Sequence, residues 1–178
     1  YKEGYGVSCE GIDFAQDNEM SLIITLDCGI KAHDKVLYAH ERGIDMIITD
    51  HHTPADTIPP AVAVLNPKRT DCSYPYQELC GCGLGFKLIQ ALCKSLGYPL
   101  ETAYAYLDLV ALATCADIVP ITGENRILVS AGLKQINERP SEVMQLLLSM
   151  ANPPIQVRDL VFVAAPRINA AGRMNHAS

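Results

Sequence analysis

Residues 21–52, SLIITLDCGIKAHDKVLYAHERGIDMIITDHH, decide the fold class. Ser21–Leu26 is a continuous apolar run too short for a helix, and it reads as a buried strand. Asp27-Cys28-Gly29 ends it. Lys31–Arg42 has helical spacing through Val36, Leu37 and His40, with Gly43 as its stop. Asp45–Thr49 is a second buried strand, ended by Asp50-His51-His52. A strand–helix–strand alternation implies parallel strands joined by a right-handed crossover.

Working outward, Ala61–Leu65 follows a Pro-bearing loop as a third strand, ended by Asn66-Pro67. Residues 1–20 are polar and punctuated by Gly4, Gly6 and Gly11. From Gly83 the pattern turns helical: Phe86–Leu96, Leu100–Cys115, Glu124–Asn137 and Ser141–Met150 carry apolar residues at three- and four-residue spacing. Breaks fall at Gly97-Tyr98-Pro99, Pro120 and Pro140, and a short segment near Arg158–Ala164 precedes Pro166. No internal repeat is present. The expectation is an α/β fold: a parallel sheet with flanking helices, followed by a mainly helical half that helps to cover the sheet.

The chain has 178 residues, enough for one ordinary domain or one domain and the start of another. Hydrophobic residues make up 49%, charged residues 19%, and there are 12 Gly and 11 Pro, a mix that excludes disordered, collagen-like and low-complexity chains. No apolar run reaches the roughly 18 residues of a membrane helix, and no basic-then-apolar leader opens the chain. That is the composition of a soluble globular protein with no membrane partner. Opening on Tyr1, it reads as a piece of a longer protein. The net charge of −6 argues against this piece being the main grip on a polyanion, and suits a site that gathers carboxylates around cations. Seven scattered cysteines do not form a secreted disulfide framework, which points to a reducing compartment, the cytoplasm. Cys80-x-Cys82 is too tight for a zinc knuckle.

In an open parallel sheet, ligands bind outside the carboxyl ends of the strands. Three strands here end in polar residues at that edge: Asp27, Asp50-His51-His52 and Asn66. Carboxylates and imidazoles on one rim suit a divalent cation, and the imidazoles tilt the choice toward a transition metal such as Mn²⁺. A helix N-cap is an equally good reading of Asp27 taken alone. Asp117 ends the apolar run Leu107–Ala116, where a buried carboxylate needs an Arg, a backbone cap or a metal. Gly81-Cys82-Gly83-Leu84-Gly85 could present N–H groups to a phosphate, but tight packing is the better reading, since the Gly-Lys-Ser/Thr ending is missing. Pro166–Arg173 holds Arg167, Asn169 and Arg173 among small residues, and fits phosphate contacts or a solvated turn.

At these residues the chain resembles the DHH phosphoesterase superfamily and, within it, the bacterial RecJ single-stranded-DNA exonucleases. The matching stretches run in order along the chain. They are Glu3-Gly4-Tyr5-Gly6, Leu26-Asp27-Cys28-Gly29-Ile30, Thr49-Asp50-His51-His52, Leu65-Asn66-Pro67-Lys68, Gly81-x-Gly83-x-x-Phe86-Lys87, Ala116–Pro120, Gly123–Arg126 and Ala165–Arg173. The resemblance implies a two-metal phosphodiesterase degrading single-stranded DNA from its 5′ end in repair and recombination, with two Mn²⁺ or Mg²⁺ ions per complete site. By motif position, Asp27 would bridge the metals, and His51 and Asp117 would be ligands. His52 would face the scissile phosphate, and Asp50 would orient an imidazole. Arg167, Asn169 and Arg173 would meet substrate phosphates.

The family's upstream Asp-x-Asp motif is not found before Asp27. The resemblance therefore implies a partial DHH domain over residues 1–150, then over 151–178 a linker and the start of a second substrate-binding domain. Such a piece is expected to show little nuclease activity alone. Its partners would be single-stranded DNA, through the full-length protein, and a repair helicase or a single-stranded-DNA-binding protein. Two rival readings remain: a DHH phosphodiesterase acting on short oligonucleotides or cyclic dinucleotides, and a non-catalytic DHH-like module that binds DNA or protein.

Overall fold

The computed structural model describes residues 6–173, with side chains through Ala170. The chain divides into two compact units, Tyr1–Gln77 and Glu78–Ser178.

The first unit is built on three strands, β1 (Leu22–Leu26), β2 (Asp45–Thr49) and β3 (Ala63–Leu65), hydrogen-bonded in that order. Both pairings are parallel, as the alternation requires, with Leu26 opposite Thr49 and Thr49 opposite Leu65. Helix α2 (His33–His40) forms the crossover between β1 and β2. Its Val36 and Ala39 pack with Ile12, Ala15, Met46 and Ile48 in one apolar core, joined by Ile23 and Val64. Period-two alternation sends Leu22, Ile24 and Leu26 to the other face of β1, where they are exposed.

Ile12 and Ala15 come from a helix that the polar, glycine-punctuated opening did not reveal, α1 (Cys9–Asp17). The Ser8 side chain caps it, accepting from the Gly11 N–H at 3.0 Å. Asp13 ties it to α2: the Tyr38 hydroxyl and the Arg42 Nε both donate to its Oδ1, at 2.8 and 3.2 Å.

The second unit is helical throughout its described residues. It runs through α3 (Gly81–Leu96), α4 (Glu101–Tyr104), α5 (Leu107–Ala116), α6 (Gly123–Glu138), α7 (Glu142–Leu147), α8 (Val157–Asp159), a π-helical turn (Leu160–Ala164) and α9 (Ala165–Arg173). Its core gathers Ala111, Leu112, Cys115, Val129, Ile136, Met144 and Leu160. Helices α5 and α6 cross at Gly132, where a Cβ would stand 2.3 Å from the Leu107 carbonyl oxygen.

Three expectations change here. Helix α3 begins at Gly81 rather than Phe86, so the buried Gly81, Gly83 and Gly85 lie inside its first turns and not in a loop ahead of it. The span 100–115 breaks into α4 and α5 around Ala105–Tyr106. And Pro166 does not stop the chain, because the π turn runs straight into α9. A proline ring collides with the carbonyl four residues back in an α-helix, and the wider π turn relieves that collision. Among the described residues no helix is long and apolar enough to cross a membrane.

Candidate metal centre

Strand register assembles the rim. Because Leu26, Thr49 and Leu65 stand side by side, the next residues, Asp27, Asp50 and Asn66, emerge together at the carboxyl edge. The Asp27 N–H donates to the Thr49 carbonyl and the Asp50 N–H to the Leu65 carbonyl, so the ladder reaches one residue past each strand.

Asp27 then leaves the sheet in a left-handed conformation, φ 68°. Asp tolerates this region better than most residues, and such strain concentrates where a side chain must be aimed. Gly29 follows at φ 108°, a conformation that excludes a side chain. The turn also brings the Ile30 N–H to Asp50 Oδ2 at 2.9 Å.

Asp50 is only 2% exposed. Besides Ile30, it receives the His52 N–H at 3.1 Å and His52 Nδ1 at 2.6 Å, both on Oδ1. Burial pushes its carboxyl up, but the bonds from Ile30 and His52 outweigh this and hold it below the usual carboxylate value. Asp50 is thus an anion whose oxygens are engaged by the protein. With Asp50 ionised, Nδ1 of His52 carries the proton, which leaves Nε2 on the far side of a half-exposed ring. Burial, then the charges of Asp50 and Asp27, push the neighbouring Cys28 thiol up, so it stays neutral.

Asp27, His51 and His52 each offer a ligand atom, and these atoms all lie within 4.8 Å of one another. His51 is buried, Asp27 half exposed, and His51 Nε2 stands 3.0 Å from Asp27 Oδ1. That oxygen is buried with the His51 ring nitrogen as its near neighbour, a pairing that a proton on Nε2 or a shared cation would stabilise. Adjacent ligands on an octahedral shell of about 2.1 Å radius are about 3.0 Å apart, so a divalent cation fits this pair. One carboxylate with two imidazoles favours Mn²⁺ or a similar transition metal over Ca²⁺. A cleft of about 450 Å³ adjoins them, bounded by Asp27–Ala32, Lys35 and His52.

The other expected site residues belong to the second unit. Asp117 closes α5, its N–H donating to the Ala113 carbonyl at 2.9 Å. The following Ile118, 85% exposed, adopts φ 57°. Arg167 lies on α9, and its Nη1 donates to the Leu146 and Leu147 carbonyls and to Ser149 Oγ at the end of α7. Asn169 is exposed on α9. Arg173 ends that helix, with its side chain outside the described residues, and of Glu3–Gly6 only Gly6 lies within them.

One polar residue of this unit stands within the matching stretch Gly123–Arg126 with no role assigned from the sequence. Asn125, fully buried in α6, donates through Nδ2 to the Glu78 and Pro120 carbonyls at 2.6 and 3.0 Å. Asn125 lies three and four residues before Leu128 and Val129, on the face that α6 buries, and that spacing is the signal that could have found it.

Comparison with known proteins finds relatives along essentially the whole chain. The family described as "DHH family, N-terminal domain" matches residues 5–114. The single-stranded-DNA-specific exonuclease RecJ of Escherichia coli is 41% identical over 193 residues, which cover all of this chain and 33% of the relative. Its Bacillus subtilis counterpart is 38% identical, covering 99% of this chain and 22% of the relative. The chain thus spans a third or less of the length of these two relatives. A crystal structure of exonuclease RecJ bound to manganese superposes with a TM-score of 0.87 at 37% identity, over 99% of this chain and 44% of that one. RecJ from Thermus thermophilus in complex with Mn²⁺ gives 0.80 at 35% identity, over 92% of this chain and 24% of that one.

Proposed function

This chain belongs to the DHH family, and from that premise we propose that it forms the metal-binding core of an exonuclease that removes nucleotides from the 5′ end of single-stranded DNA. The observation that carries the proposal is the cluster of ligand atoms in which the buried Asp27 Oδ1 stands 3.0 Å from His51 Nε2, beside His52, whose ring Asp50 holds. Identity of 38–41% to RecJ exonucleases along essentially the whole chain supports the substrate class.

Asp27, His51 and Asp117 are the residues that would hold Mn²⁺ or Mg²⁺, with Asp27 shared by both ions of a complete site. Paired cations, when bound, supply positive charge at the phosphodiester and an activated water. The chain's own residues do the rest. The Asp50 carboxylate fixes the His52 tautomer, so Nε2 faces the scissile phosphate and can accept or return a proton there. The cleft beside Asp27 and His52 receives the terminal nucleotide. Arg167 Nη2 and Nε, outside its bonds to α7, are proposed with Asn169 and Arg173 as phosphate contacts. Residues 1–150 would form the partial DHH domain, and 151–178 the linker and the start of the next. Cytoplasmic repair and recombination, beside a helicase or a single-stranded-DNA-binding protein, completes the proposal.

The test is mononucleotide release from 5′-labelled single-stranded DNA by the full-length protein with Mn²⁺. His52→Ala is expected to lose on the order of 100-fold or more in kcat, and Asp27→Ala to lose metal-dependent turnover. Unchanged turnover in Asp27→Ala would refute the metal assignment. Faster cleavage of short oligoribonucleotides or cyclic dinucleotides would replace the substrate. DNA binding with no hydrolysis would leave a binding module.

A further inference from the structure

The third polar strand end has a task of its own. Asn66 follows β3 and is 3% exposed, and its amide is fixed at both ends. Its Oδ1 accepts the Lys68 N–H at 2.8 Å, and its Nδ2 donates to the His52 carbonyl at 2.8 Å. The first bond settles which end of the amide is oxygen, since a backbone N–H requires an acceptor. His52 itself lies in no helix or strand. Its ring is held by Asp50, and its main-chain carbonyl is held by Asn66, across 14 residues of sequence. Asp50 holds the ring at Nδ1 and the main chain at the N–H, both from the β2 side of the residue. The bond from Asn66, itself buried, adds a hold on the carbonyl from the end of β3, so the peptide is pinned on both sides of the ring.

We propose that Asn66 is a positioning residue for His52, fixing the main chain from which the imidazole meets the scissile phosphate. This inference rests on the reading of His52 as the phosphate-facing histidine. Both ends of the Asn66 amide are committed to main-chain groups, so its effect is exerted through His52. Removing it therefore lowers the rate of the bound complex rather than its formation.

The experiment uses the full-length protein with Mn²⁺ and single-stranded DNA, comparing Asn66→Ala and Asn66→Asp. The Asp variant keeps the volume and the acceptor for Lys68, but turns an oxygen toward the His52 carbonyl, so a folding defect in Ala alone cannot mislead. Asn137→Ala is the control: Asn137 makes a similar pair of bonds to Ile155, within the second unit. Both Asn66 variants are expected to lower kcat about 10- to 100-fold, the usual cost of removing a group that orients a catalytic-site side chain. KM for DNA and Mn²⁺ affinity stay near wild type. A kcat loss no larger than that of Asn137→Ala, or a loss confined to KM or metal affinity, overturns the proposal. If the wild type hydrolyses none of the phosphodiesters tested, the functional reading has failed and a substrate-free readout decides this one. The Nδ1–H resonance of His52, in protein ¹⁵N-labelled at histidine, should broaden or vanish in both variants. Its persistence in both overturns the proposal.

Discussion

Among the described residues Glu19, Asp27 and Ile118 hold left-handed backbone without being glycine, and the last two call for opposite treatment. Asp27 is aimed by its conformation at His51, whereas Ile118 is a β-branched, exposed side chain in a region that costs about 1–2 kcal/mol for L-residues. Ile118→Gly should therefore raise the urea midpoint, by up to about 1 kcal/mol in stability after glycine's unfolded-state entropy is subtracted. Asp50 carries a pH signature. Its pKa is depressed in the fold, so its stabilisation is complete above the ordinary value of 3.8 and is lost as pH falls through the lower folded value. The stability gap between wild type and Asp50→Asn should be widest near neutrality and should close in acid. Cys115 behaves in the opposite sense. Burial, then the nearby Cys80 thiol, lift it from 9.0 to about 11, so stability should fall as pH rises across that window and less so in Cys115→Ala.

Among the elements, the α5–α6 crossing makes the sharpest prediction. Helix propensity alone favours Gly132→Ala by about 1 kcal/mol. The added Cβ would sit 2.3 Å from the Leu107 carbonyl oxygen and 2.5 Å from Ala111 Cβ, and backbone cannot step aside as a side-chain tip can. Sterics should win, with a net loss of about 1–3 kcal/mol read from the denaturation midpoint. Legibility follows the same division between local and tertiary causes. β1 and β2 were plain in the sequence because segments of five or six residues centred on Leu22-Ile23-Ile24 and Met46-Ile47-Ile48, and bounded by polar residues, have few other readings. Helix α1 was not, because it buries only Ile12 and Ala15 and carries Gly11 inside it. Nor was the break at Ala105–Tyr106, which no glycine or proline marks. Asp27, His51 and His52 came to one rim because parallel topology carries strand ends to one edge. The bond from the Ile30 N–H to Asp50 depends on how the loop after β1 closes, which no periodicity records.

For the molecule as a whole, the candidate centre is a handle on folding. A cation that binds the native rim and not the unfolded chain stabilises it by about 2.7 kcal/mol at a hundred times its dissociation constant. Added Mn²⁺ should raise the melting temperature and slow amide exchange in β1 and β2, and a chelator should reverse both. Asp27→Ala should abolish the shift. A wild type that melts identically with and without Mn²⁺ would deny the site any resident ion at that concentration.

The π turn at Leu160–Ala164 can also be regarded as a matter of phase. One residue more than an α-helix would use advances everything downstream by about 100° around the axis. It is this rotation, rather than any contact of its own, that brings Arg167 round to the carbonyls closing α7. Deleting a single residue there would leave the composition of α9 untouched and turn the whole helix like a key cut one notch out of step.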